Sequence, residues 1–127
     1  MKKIFIVLLL ALLTLPAVIP LLHPGFFPSH DGNWMVIRLS AFHQAFRDGQ
    51  FPVRWSIFLN HGFGYPVLNF LYPLPFYFGE LFYLISKSFV QATKLVFIFS
   101  FLTSVITMFA WLKSKFSFWP ALVGSLI

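Results

Sequence analysis

The sequence predicts an all-α protein, a set of polytopic transmembrane helices with an interfacial amphipathic helix in the first loop. Three observations carry that reading. Of the 127 residues, 59% are hydrophobic and 21% aromatic against 9% charged, whereas a water-soluble domain has about 25% charged residues. Several uncharged runs approach the roughly 20 apolar residues that a helix needs to cross a bilayer core. One more polar stretch, after the first run, repeats its apolar residues at helical spacing.

The first span is Ile4 to Leu22, which is uncharged and follows Lys2-Lys3. A cleaved signal peptide is the competing reading, with the two lysines as its basic start. The apolar run continues past the usual length of such a core, however, and no A-x-A-like cleavage site follows. A loop over 23–67 comes next. Within it, residues 32–47 place Met35, Leu39, Phe42 and Phe46 on one stripe, with Trp34, Ala41 and Ala45 beside it. Asn33, Ser40, His43, Gln44 and Arg47 gather on the other side, and Arg38 falls at the edge of the apolar stripe. A helix of this kind lies in the membrane interface with its apolar face down. Asp31 is suited to cap its N-terminus, and Asp48-Gly49 with Pro52 shortly after closes it.

The second span is 68–86, aromatic and interrupted by Pro73 and Pro75, which are tolerated early in a helix or where neighbours supply support. The third is 95–112, uncharged, with Ser100, Thr103, Ser104 and Thr107 available for bonds within or between helices. Lys87 and Lys94 bracket the connection between the two. A fourth apolar segment, 116–127, stops short of a bilayer's thickness, so a truncated span and a longer parent protein are expected.

Charge sets topology more than function here. The net charge of +6 comes from nine Lys and Arg against three acidic residues, but these cations are scattered and form no stripe that would track a nucleic acid. With the N-terminus inside, Lys2, Lys3, Lys87 and Lys94 are cytoplasmic while Arg38, Arg47, Arg54, Lys113 and Lys115 lie outside, so the count alone does not decide. The flank of the first helix, Lys-Lys before it and His23-Pro24 after it, favours the N-terminus inside and the loop 23–67 outside. No cysteine is present, which removes thiolate chemistry and cysteine metal sites.

Candidate chemistry concentrates in the loop. Asp31 is a carboxylate at the water–lipid boundary, able to act as a cap, a base, or both. His23, His30, His43 and His61 all fall there, and no pair has the i, i+3 or i+4 spacing of a helical metal site. A divalent cation on Asp31 with His30 or His61 stays open. Gly62-Phe63-Gly64 lacks the remainder of any nucleotide-binding fingerprint and reads as a turn. Glu80 lies inside the second span and must face the protein interior or a wet cavity, either as a functional group or as a polar lock between helices.

The order of these features resembles a known group. A single N-terminal span, a loop opening on Asp31, an amphipathic helix ending "AFRDGQFPVRW" and then "GFGYPVLNFLYPLPFY" leading into the second span resemble the N-terminal region of GT-C-type polytopic membrane glycosyltransferases. The resemblance covers about residues 1–112 and is greatest to the 6-pyruvoyl-tetrahydropterin synthase-related membrane proteins, a label with no pterin chemistry in this stretch. It implies a multi-pass prokaryotic cell-membrane protein that transfers a sugar from a polyprenyl-phosphate carrier to an acceptor at the extracytoplasmic face. By position Asp31 matches the loop aspartate of that superfamily's active site. Arg38, Arg47 and Arg54 are then the local cations for the leaving phosphate, Arg38 best placed toward the lipid side. Some members hold a divalent cation at the loop aspartate. A transporter or flippase of lipid-linked precursors, built on Glu80 and the Pro-broken span, and a non-catalytic membrane protein are the alternatives.

Overall fold

The computed structural model describes residues 2–26 and 28–127. Among the described residues six α-helices follow in chain order: α1 Lys2–Val18, α2 Gly32–Arg47, α3 Val67–Phe70, α4 Leu74–Ser86, α5 Phe89–Lys113 and α6 Phe118–Leu126. Short 3-10 turns occupy Ile19–Leu22 and Asn60–Gly62. The architecture is therefore helical, as expected, with no strand among the described residues beyond an isolated bridge.

Two helical stretches are long and apolar enough to cross a membrane, Lys3–Leu22 and Phe89–Lys113. Burial separates them from the core helices of a soluble protein, which are mostly covered: here 22% and 6% of the respective windows are buried. The expected span over 68–86 has a different form. Extended backbone at Leu71 separates the single turn of α3 from α4, and the 13 residues of α4 cover only about 20 Å at helical rise. Pro73 and Pro75 account for the break, because neither has the N–H needed to continue the helix from α3. The third helix, in contrast, starts earlier than the sequence suggested. Ser88 Oγ accepts the backbone N–H of Gln91 at 3.4 Å, so α5 begins at Phe89 and takes Lys94 into its buried side, leaving Lys87 and Ser88 as the connection. Lys87 closes α4 in the left-handed region, φ 54°.

The chain forms two compact units. One contains residues 1–24 and 97–127. Its core is Leu10, Phe109, Ala121 and Leu122, where α1 meets α6 and α5. The outward faces of α1 and α5 remain apolar and uncovered, with Ile4, Phe5, Leu12, Phe101 and Trp111 exposed, as suits helices bordered by lipid.

The other unit, residues 25–96, holds the polar chemistry. Helix α2 packs on α4, and Phe42, fully buried, stacks on Phe76 (centroids 5.9 Å) and meets Tyr77 edge-on (4.9 Å). Leu39, Ala45, Val53, Val67, Leu68 and Ala92 complete this core. Much of the stripe read as lipid-facing, Leu39 and Phe42 above all, is thus covered by protein. The approach is close because α4 carries Gly79 at the crossing: a Cβ there would lie 2.6 Å from Leu39 Cδ1.

Candidate functional site

The polar face of α2 is built from its two ends. At the C-terminus, Gly49 takes φ +88°, its N–H donates to Phe46 O and that of Gln50 to Ala45 O. This is a Schellman closure, and the Asp48-Gly49 expectation holds. The N-terminus departs from expectation. Asp31 occupies the cap position, but its side chain makes no capping hydrogen bond. Ser29 Oγ accepts the Gly32 N–H at 2.8 Å instead. The Asp31 carboxylate turns to the neighbouring His30 Nδ1, 3.2 Å away, with both side chains largely in solvent. It therefore stands open rather than being tied up by the helix.

After α2 the chain runs to a closed loop. Ser56 and Tyr65 exchange backbone hydrogen bonds of 3.1 and 2.9 Å, and the residues between fold back over α2. Gly64, at φ +82°, lies directly under the Trp55 indole, which a Cβ would strike at 2.5 Å. The turn expected around Gly62-Phe63-Gly64 is this loop's return limb.

Two cavities lie between α2 and the loop. One, of about 270 Å³, is lined by Trp34, Arg38, Leu59, Asn60 and Tyr65. A second, of about 400 Å³, has Ile37, His43, Phe58, Leu59, Tyr83 and Phe89 in its wall, with Ser40 and Gln44 as further polar groups. Leu59 belongs to both, so the cavities adjoin. In the first, Arg38 is the cationic group among the described lining residues, beside apolar and aromatic walls, and Asn60 supplies an amide.

The sequence-derived residues are thereby sorted. Asp31, at the N-cap of α2, precedes Arg38 by seven residues, about 10 Å along the axis at helical rise, and is not among the residues that line the Arg38 cavity. Arg47 closes the far end of the helix, about 24 Å from Asp31 at the same rise, and is exposed. Arg54 is exposed as well, its backbone N–H held by Gln50 Oε1 at 3.4 Å. One phosphate cannot engage Asp31's neighbourhood and Arg47 together. The described residues include no group of three His, Cys, Asp or Glu side chains arranged to hold a metal ion. His61 sits exposed in the loop, at φ 57°.

Glu80 is buried, at 8% exposure, as expected for an acidic residue in that segment. Its partner is His43, whose Nδ1–H donates to both carboxylate oxygens at 2.9 Å. The sequence places His43 on the polar side of α2 without naming a partner, since helical periodicity alone cannot see a helix arriving from 37 residues away. A neutral, Nδ1-protonated imidazole leaves Nε2 as an acceptor. Tyr83 and Phe89, stacked on each other at 4.2 Å, flank the ring at 4.6 and 5.4 Å.

Comparison with known protein families, with curated proteins and with solved structures found no match.

Proposed function

We propose that this is a multi-pass prokaryotic cell-membrane protein that transfers a sugar from a polyprenyl-phosphate donor to an acceptor at the extracytoplasmic face. The observation that supports it is the Arg38 cavity: one guanidinium set among Trp34, Tyr65 and Leu59, which suits an amphiphile whose phosphate leads into an isoprenoid chain. Arginine presents planar paired donors to phosphate oxygens, and the aromatic walls take the apolar stem. Asp31, exposed and without a helix-capping bond, is the base.

In the reaction, the Asp31 carboxylate takes the proton of an acceptor hydroxyl as that oxygen forms its bond to the anomeric carbon. The bond from that carbon to the phosphate oxygen breaks, and its electron pair leaves with the phosphate, whose growing charge Arg38 meets. A divalent cation at Asp31 would serve the same charge, with His30 the adjacent ligand. Arg47, about 24 Å from Asp31 along the helix at helical rise, has no part in this arrangement.

The test is sugar transfer in reconstituted vesicles with a polyprenyl-phosphate sugar donor. Asp31→Asn removes the base and is expected to lower kcat by about 100-fold or more, while Arg38→Ala weakens donor binding and Arg47→Ala changes neither. Full activity of Asp31→Asn with correct insertion would refute the assignment. A transporter or flippase of lipid-linked precursors is the second reading, favoured by one observation, the buried Glu80 pair beside a cavity. It predicts that Glu80→Gln abolishes lipid-linked precursor movement while Asp31→Asn is silent.

A further inference from the structure

The larger of the two cavities has no role in the chemistry above. Among the described residues its wall carries neither Lys nor Arg. It is also not merely apolar: His43, Ser40 and Gln44 contribute polar atoms. The orientation of these groups is informative. The Ser40 hydroxyl proton is donated to Ile37 O at 2.8 Å, and one amide proton of Gln44 goes to Asp48 at 2.9 Å. Nδ1–H of His43 is held by Glu80. The hydrogen-bonding capacity left over in this wall includes acceptors, Nε2 of His43, the lone pairs of Ser40 and the carbonyl of Gln44, and donors, the second amide proton of Gln44 and the hydroxyl of Tyr83. Phe58, 63% exposed, belongs to the same wall.

A ligand matching this wall is uncharged, offers hydroxyl groups that both donate and accept, and presents a flat C–H face to an aromatic ring. We propose that the cavity is a carbohydrate-binding site, in which a sugar hydroxyl donates to His43 Nε2 and the sugar ring lies against Phe58. Glu80 is a positioning residue: by accepting from Nδ1–H it fixes the ring's orientation and the tautomer in which Nε2 is the acceptor. The side chains of the pair are 15% and 10% exposed, so little water competes for it. Gly79 lets α4 approach Leu39 one residue before Glu80, which brings the carboxylate under the ring. The inference deepens the sugar-transfer reading and rests on it for the ligand's role, which is that of the acceptor. His43 lies about 7.5 Å along α2 from Arg38 at helical rise, and the shared Leu59 wall leaves the two sites adjoining.

The experiment is saturation-transfer NMR on the full chain in lipid nanodiscs, with the methyl glycosides of mannose, galactose and N-acetylglucosamine as probes. At least one glycoside is expected to receive saturation at its ring C–H protons. His43→Gln and Phe58→Ala are each expected to weaken its binding by about tenfold, the loss of one hydrogen bond or one stacking face. Phe58 is exposed, so its variant keeps the fold if His43→Gln does not. Phe63→Ala, 82% exposed and outside both cavities, is the control with unchanged binding. Failure of all three glycosides to bind, or binding that both variants leave intact, overturns the site. His43-dependent glycoside binding supports the site even where no sugar transfer occurs, and the failure then belongs to the enzyme reading alone. Transfer activity without His43-dependent glycoside binding overturns the site and leaves that reading standing.

Discussion

Removing Glu80 while keeping His43 is the perturbation that most directly tests how unit 25–96 is held together. Both oxygens of Glu80 stand 2.9 Å from Nδ1, and the two side chains are 10% and 15% exposed. In Glu80→Leu the volume is roughly kept and the acceptor is lost, so the imidazole N–H stays buried without a partner. The cost of such an orphaned group is about 1–3 kcal/mol, and a hydrogen bond to a charged group is worth about 1.5–3 kcal/mol. We expect Glu80→Leu to lose about 2–3 kcal/mol and Glu80→Gln, which keeps an oxygen acceptor, about 1 kcal/mol. His43→Leu alone orphans the carboxylate and should cost at least as much, whereas the double Leu variant restores part of the loss because neither group is left unmatched. The assay is reversible denaturant unfolding in detergent micelles followed by tryptophan fluorescence, arranged as a double-mutant cycle. A coupling of about 1.5 kcal/mol or more between the positions is expected. Additive single effects, within about 0.5 kcal/mol, would refute the pair as a structural link between α2 and α4.

Three further outcomes are expected from the same unfolding assay. Gly79→Val inserts a side chain where a Cβ already lies 2.6 Å from Leu39 Cδ1; it should cost about 1–3 kcal/mol, with partial rescue by Leu39→Ala. Ser29→Ala removes the oxygen that accepts the Gly32 N–H and should cost about 1 kcal/mol, more than Asp31→Ala, whose carboxylate caps nothing. Gly49→Ala places a Cβ on a residue at φ +88° and should cost about 1 kcal/mol through the Schellman closure.

Much of the helical layout was legible because it follows from short-range chemistry. The bounds of α2 come from its apolar repeat, the glycine after Asp48 and the polar residues before it, and all of these are local. The first helix is legible for the same reason, a long uncharged run after two lysines. The remainder depends on contacts between distant segments. The apolar stripe of α2 announces that it must be covered, yet nothing in 32–47 states whether lipid or protein covers it; Phe76 and Tyr77 decide that. Asp31 has the composition of a cap, but Ser29 reaches the same N–H through the geometry of the preceding turn. Glu80 could be marked as a buried acid from its apolar surroundings, whereas nothing within 32–47 marks His43 as its partner. Its one signal is that a buried carboxylate requires a partner, and the histidines of the loop were the available ones.

The adjoining of the two cavities makes Leu59 a decisive position. It walls both the Arg38 cavity and the His43 cavity and is half-buried against the α2–α4 core, so a larger side chain there must extend into one or both spaces. Leu59→Trp adds a ring system to cavities of about 270 and 400 Å³, enough to obstruct a sugar ring or an isoprenoid stem but not to displace Phe42 or Leu39 from the core. If donor phosphate and acceptor sugar occupy one continuous groove, this substitution should weaken both polyprenyl-phosphate binding and glycoside binding by about tenfold, with thermal stability close to wild type. Leu59→Ala should have the opposite sign on access, opening the passage at the cost of a few contacts. Loss of one ligand alone would mean that the cavities are separate sites, and the transfer reaction would then need the acceptor to reach the anomeric carbon from the solvent side of Asp31 instead.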